Sequence, residues 1–509
     1  MSDALKKRIK KIAAMLLSIL LVFGMIPGER AFSATHTILE DLPVRIAGKD
    51  AGTVRTIHYE YRNNRFVSVR DMAAALSGTE KQFEVSVSNG KIDILTGKDY
   101  RASGGEGTPF FPKEEAPEDG EGEPAEDGTA PVPSEEPLTY STEKLTVNPV
   151  TVNGNERRYY TFLGRNAENI PDAFISPTDL AMILDTDLSI RDGVLFCSGT
   201  EDLHIDLDEL RREGLYNEIS SAIVGEAESG TVFSAYHENV SVPCASTTKL
   251  MTFLCVMDAV SSGEIGLNDT VTFSDRAEAL SNTQDGVIRV KAGQTVSVND
   301  LIYGMLLPSS NECALALAEY IAGSEEEFVV RMNRRASSIG MSEATVFLNC
   351  HGLPMYSDNM ATSKIQNHLS AKDMFLLSSY LLKTYPQVKE YTATKEYRSE
   401  ALQTTLTNVN PVLYNVEGAV GLKTGTTKAS GASLVSACEV EKEDGVHTII
   451  AVEYGAEDGS VRVTLSELLL RYGIRCVKEG KVRDNESTAK KEPPSDPEEL
   501  IRRLIRNLS

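Results

Sequence analysis

The 509-residue sequence lacks what several broad classes of protein require. Its seven cysteines are an odd number and include no C-x-x-C pair, and its seven histidines form no ligand-like cluster. Neither a disulfide framework nor a zinc site is indicated, and no metal or other cofactor is implied. Positive charge is short: 51 Lys and Arg stand against 74 Asp and Glu, a net charge of −23, which argues against a nucleic-acid partner. Long apolar runs are also missing, with one exception at the N-terminus. The cysteines are therefore expected to be mostly buried thiols, with Cys255 and Cys313 inside helical patterns.

The exception defines a compartment. Lys6, Lys7, Arg8, Lys10 and Lys11 precede an apolar run from Ile12 to Ile26 that Pro27-Gly28 ends. A positive segment followed by about 15 apolar residues reads as a signal peptide over 1–34, since a membrane span needs about 20. An exported protein is expected, acting in the wall or at the outer face of the cytoplasmic membrane. At the other end, 479–496 reads as a polar, Pro-rich linker. Over 497–509, Leu500, Ile501, Leu504, Ile505 and Leu508 share one helical face, with Arg502, Arg503 and Arg506 beside it. Such a basic amphipathic helix can lie on an anionic membrane or dock on the protein itself.

Residues 36–200 contain an internal repeat. Val44–Gly48 pairs with Val150–Gly154, and Phe66–Leu76 with Phe174–Leu184. Hairpin patterns close each half around Asn89-Gly90 and Asp192-Gly193. Each half reads as strand, short helix, hairpin, which makes a smaller α+β module. Between the halves, 101–137 is rich in Gly, Pro and acidic residues, the composition of a disordered loop or linker. The pattern resembles the N-terminal module of copper amine oxidases, which also serves as a stalk on bacterial surface proteins. No copper site is implied. A spacer is expected, one whose deletion leaves the remainder able to react.

Three short motifs lie in order in the region 201–478. Ser246-Thr247-Thr248-Lys249 comes first, Ser309-Ser310-Asn311 second and Lys423-Thr424-Gly425 third. On a helix, residues three apart share a face, so Ser246 and Lys249 point the same way. A serine hydroxyl is a weak nucleophile until a base takes its proton. A lysine can be that base if burial and nearby positive charge depress its pKa, and Lys423 is the candidate for that charge. The apolar residues Leu250, Met251, Phe253, Leu254 and Met257 predict a buried helix that begins at Ser246. Ser309 and Asn311 fall between the runs Leu301–Leu307 and Ala314–Ile321, on a turn between two helices. The Lys423-Thr424-Gly425 segment precedes strand-like runs at Ser433–Val440 and His447–Val452, and Ser460–Gly473 then returns as a helix.

Residues from about Gly230 to Gly473 resemble the D-alanyl-D-alanine carboxypeptidases, the low-molecular-weight penicillin-binding proteins of peptidase family S11. The resemblance extends to Pro243–Thr252, Leu306–Asn311, Gly340-Met341, Asn349, His351-Gly352-Leu353 and Gly421–Thr427. It implies an α/β fold of the penicillin-binding/β-lactamase type, an antiparallel five-stranded sheet flanked by helices plus a helical region. It implies that Ser246 forms an acyl-enzyme with Lys249 as general base, while Ser309 and Asn311 assist proton transfer. Lys423, Thr424, Gly425 and Thr426 would bind substrate, with Gly425 allowing close backbone approach and the others holding its carboxylate. The N–H groups of Ser246 and Thr426 would form an oxyanion hole. The implied reaction removes the terminal D-alanine of peptidoglycan stem peptides, with β-lactams as inhibitors.

Two departures stand out. Ser310 occupies a position often glycine in the family, and Cys244 is a candidate reactive thiol near the cleft. A β-lactamase is the rival enzyme, and it needs a carboxylate to activate the deacylating water. The run Glu264-Ile265-Gly266-Leu267-Asn268 has the composition of that element but precedes Ser309, in the wrong order. A penicillin-binding wall protein without turnover is the non-enzymatic alternative.

Overall fold

The computed structural model describes residues 37–59, 64–103, 106, 145–165, 170–191, 193–199, 219–357 and 360–480. The expected signal segment, nearly all of the acidic stretch and the 497–509 helix lie outside these residues.

The N-terminal module runs β1 (Thr37–Ile46), β2 (Lys49–Tyr59), β3 (Asn64–Ser68), α1 (Val69–Ala75), β4 (Phe83–Ser88) and β5 (Lys91–Thr96). The same order repeats as β6 (Thr146–Val152), β7 (Asn155–Arg165), β8 (Pro171–Ile175), α2 (Pro177–Leu184), β9 (Leu188–Arg191) and β10 (Val194–Cys197). Local chemistry repeats too. Ser68 and Ser176 cap the two helices, each accepting from the N–H of an aspartate three residues on, Asp71 or Asp179. All ten strands form one sheet in the order β4-β5-β6-β7-β8-β3-β2-β1-β10-β9. The halves exchange hairpins. β5 pairs in parallel with β6, Ile92 opposite Val150, and β10 pairs in parallel with β1, Leu195 opposite Val44. β3 and β8 meet antiparallel at the centre. There Arg55, 3% exposed, reaches Asp71 at 2.6 Å in its own half and Asp172 at 3.0 Å in the other.

The second part is built on β11 (Ser221–Glu226), β12 (Val232–Tyr236), β13 (Ala419–Thr427), β14 (Gly431–Lys442) and β15 (Gly445–Ala456). These pair antiparallel in the order β12-β11-β15-β14-β13, so β13 is an edge strand. The main helices of the helical region are α3 (Lys249–Ser261), α4 (Val298–Leu306), α5 (Asn311–Ala322), α6 (Glu325–Ser338) and α7 (Ala371–Thr384). The opposite face of the sheet is covered by α8 (Gly459–Glu479). Apolar residues occur all round α3, so it is buried on nearly every side. The expected α/β architecture of the penicillin-binding/β-lactamase type is the one observed.

The module is not a free spacer. Met182 of α2 shares one apolar cluster with Val412 and Leu465, and Asp179 accepts a hydrogen bond from Thr464 of α8 at 2.7 Å. No helix among the described residues is long and apolar enough to cross a membrane.

Candidate active site

Ser246 lies in a single 3-10 turn, Ala245–Thr248, that runs straight into α3. Two glycines let other segments close on this turn. A Cβ on Gly352 would sit 1.9 Å from the Ala245 carbonyl oxygen, and the residue has φ +91°. A Cβ on Gly425 would lie 3.2 Å from the Ser246 nitrogen. Only glycine allows the approach at Gly352, whereas at Gly425 a side chain would need the turn to yield by a few tenths of an ångström. The edge strand β13 is thereby brought against the nucleophile turn. The 349–353 turn is tied to it by side chains: Asn349 accepts from the Gly352 N–H at 2.6 Å, and Asn367 bridges Thr248 (2.9 Å) and the Asn349 carbonyl (3.0 Å).

Lys249 is fully buried, and its amine has three partners. They are Ser246 Oγ at 3.0 Å, Asn311 Oδ1 at 2.7 Å and the His351 carbonyl at 2.7 Å. Burial pushes the amine down to about 7, partly opposed by Glu312, Cys350 and Cys313 nearby. Lys423, itself buried, is also held well below the ordinary lysine range, first by burial and then by the charge of Lys249.

Asn311 opens α5, whose N-cap is Ser310; its hydroxyl accepts from the Cys313 N–H at 3.0 Å. A serine at this position, in place of the commoner glycine, thus starts the helix that presents Asn311. The Asn311 amide nitrogen donates to the Asp285 carbonyl at 2.8 Å, which fixes which way the oxygen points. Buried Glu312 holds the same rim loop by accepting from the N–H groups of Val287 and Ile288. Ser309 has φ +70°, and its buried hydroxyl has no hydrogen-bond partner.

The third motif lies along β13. The Lys423 amine donates to the Thr424 carbonyl at 3.0 Å. Thr424 is buried and Thr426 exposed. Arg462, in the first turn of α8, donates to Thr426 Oγ1 at 3.0 Å. Sequence reasoning missed Arg462, the His351 carbonyl and the Asp285 carbonyl. An isolated arginine in a helical pattern and two backbone oxygens leave no motif to find.

One expectation is corrected and another is met. Cys244 is not a reactive thiol: it is wholly buried, its sulfur contacts Thr248 and the Asn367 carbonyl, and burial pushes it up to about 12. Glu264 is committed to Arg331 at 2.5 Å, so the Glu264–Asn268 run supplies no carboxylate to the serine. Among the described residues, no carboxylate hydrogen-bonds to Ser246 or Lys249.

An antiparallel sheet backed by helices, with Ser246 bonded to the buried Lys249 amine, defines the penicillin-binding/β-lactamase-like class of fold. Residues 215–457 match the model of peptidase family S11, D-alanyl-D-alanine carboxypeptidase, and this part of the chain belongs to that family. Its relatives include the D-alanyl-D-alanine carboxypeptidases DacF of Bacillus subtilis and DacC of Escherichia coli. DacF is 32% identical over 252 residues and DacC 34% over 257, about half of this chain and 60% of each relative. The chain thus spans less than two thirds of their length. Among solved structures, penicillin binding protein 6B from Escherichia coli is 30% identical with a TM-score of 0.45, covering 50% of this chain and 77% of that one.

Proposed function

We propose that the protein is a serine-type D-Ala-D-Ala carboxypeptidase that trims peptidoglycan stem peptides outside the cytoplasmic membrane. The carrying observation is the caged Lys249 amine, 3.0 Å from Ser246 Oγ and brought down to about 7. The neutral amine takes the Ser246 proton as Oγ attacks the carbonyl carbon of the penultimate D-alanine. The N–H groups of Ser246 and Thr426 are assigned to the developing oxyanion. The C–N bond breaks, and the proton passes through Ser309 to the leaving amine of D-alanine. Water then hydrolyses the ester, with Lys249 again as base.

The terminal carboxylate is assigned to Thr424, Thr426 and Arg462, with the Lys423 amine bonded to the Thr424 carbonyl beside them. β-Lactams would acylate the same serine. With no carboxylate bonded to the serine–lysine pair, their adducts should deacylate slowly.

The test is the intact mass of the protein with and without benzylpenicillin, followed over hours. A lasting single adduct at Ser246 is expected. Destruction of the drug by an unlabelled protein would mean a β-lactamase, and no reaction at all a non-catalytic protein. We assign the 497–509 segment a peripheral contact with anionic membrane; unchanged liposome binding after removal of 496–509 would exclude it.

A further inference from the structure

The N-terminal module touches the catalytic part at the two elements that form the carboxylate pocket. One contact is with the approach to β13. The Asn415 side chain, 3% exposed, pairs with the backbone of β7 as a strand would. It accepts from the Arg158 N–H at 2.7 Å and donates to the Arg158 carbonyl at 2.9 Å. Tyr414 lies under the Arg158 guanidinium, 3.9 Å from ring centroid to carbon. Four residues after Asn415 the chain enters β13, which carries Thr424 and Thr426.

The other contact runs along α8. A Cβ on Gly459 would lie 2.0 Å from the Tyr160 hydroxyl, so this module residue abuts the first residue of the helix. Thr464 donates to Asp179 at 2.7 Å, and Tyr159 reaches Glu467 at 3.3 Å. Asp179, Tyr159, Thr464 and Glu467 are all buried, so water does not compete for these bonds. At 3.6 residues per turn, Arg462 lies about 160° around the axis from Thr464. The flank that carries Thr464 and Glu467 is therefore gripped by the module while another presents Arg462 to Thr426.

We propose that the N-terminal module is a positioning element for the carboxylate pocket. Through Asn415 it fixes the approach to β13, and through Asp179 and Tyr160 it fixes the first turns of α8. Thr426 and Arg462 are thereby held at a set spacing. The module adds no catalytic residue. Its contribution is confined to substrates that carry the carboxylate, and in this respect the proposal rests on the carboxypeptidase reading.

The test uses the full chain with Asp179→Ala, Asn415→Ala and the conservative Asp179→Asn, which keeps an acceptor for Thr464. The readout is the second-order acylation rate with benzylpenicillin and with its methyl ester. For each alanine variant the acid should lose about five- to tenfold while the ester changes less than about twofold. Asp179→Asn should stay close to the unaltered protein. An equal loss on acid and ester, or no loss on either, would overturn the proposal; Asn415→Ala decides if Asp179→Ala does not fold.

A second arm needs no activity. Amide hydrogen exchange at 424–427 and 462–464 should accelerate in Asp179→Ala, with α3 unchanged. If the unaltered protein fails to react with penicillin at all, the carboxypeptidase reading falls. The exchange pattern then still decides whether the module holds the pocket, and unchanged exchange there would refute it.

Discussion

At the residue scale, the proposed chemistry rests on an amine whose hold on its proton burial weakens. Lys249 is buried among Ser246, Asn311 and the His351 carbonyl, and burial outweighs the attraction of Glu312. Below pH about 7 the amine holds a proton and cannot accept one from Ser246; above it the amine is free to do so. Acylation by benzylpenicillin should therefore rise about tenfold per pH unit well below the midpoint and level off above it. A profile that stays flat from about pH 5 to 9 would show that Lys249 is not the base. Replacement by alanine should lower acylation by about 10²- to 10⁴-fold, the usual range for loss of a general base.

At the element scale, the nucleophile turn is held by closeness of backbones. At Gly352 any side chain would strike the Ala245 carbonyl, and at Gly425 one would crowd the Ser246 nitrogen at 3.2 Å. Gly352→Ala places a carbon 1.9 Å from a carbonyl oxygen at a left-handed φ, and the rigid Asn349 turn has little freedom to yield. The turn at Ser246 should shift instead. Acylation is expected to fall about 100-fold, since a shift of about 1 Å in a reacting group has that effect. The protein should remain folded by circular dichroism. Undiminished acylation would mean that the turn tolerates the displacement.

At the scale of the whole molecule, two buried polar arrangements join parts distant in sequence. One lies within the N-terminal module, where Arg55 binds Asp71 and Asp172 across the two halves. Burial raises the Asp172 carboxyl to about 6 despite the guanidinium beside it. Arg55→Met leaves two carboxyl groups facing each other in the core. It should destabilise the module by about 3–5 kcal/mol. Amide exchange across β2, β3 and β8 should then quicken by more than about a hundredfold. Slow exchange like that of the unaltered protein would show that the ion triad is dispensable. The other arrangement is the Asp179–Thr464 and Tyr159–Glu467 seam between module and α8.

The serine, its lysine, the asparagine and the β13 segment were legible in the sequence because their chemistry is local. A three-residue spacing puts Ser246 and Lys249 on one helical face wherever the helix goes. Asn311 follows a serine cap, and Gly425 lets its strand lie close against the nucleophile turn. The two half-repeats were legible for the same reason, since caps and hairpin turns are set by neighbours in the chain.

Tertiary structure alone decided the rest. That burial lowers the Lys249 amine depends on how completely the helices close around it. That Cys244 is inert depends on the same closure. The His351 carbonyl and Arg462 come to the site from segments about 100 and 216 residues from Lys249 and Ser246, brought there by the packing of the 349–353 turn and α8. The hairpin exchange and the docking of the module arise from contacts across long stretches of chain. Periodicity and spacing report which face of an element is apolar, but not which other element will cover it.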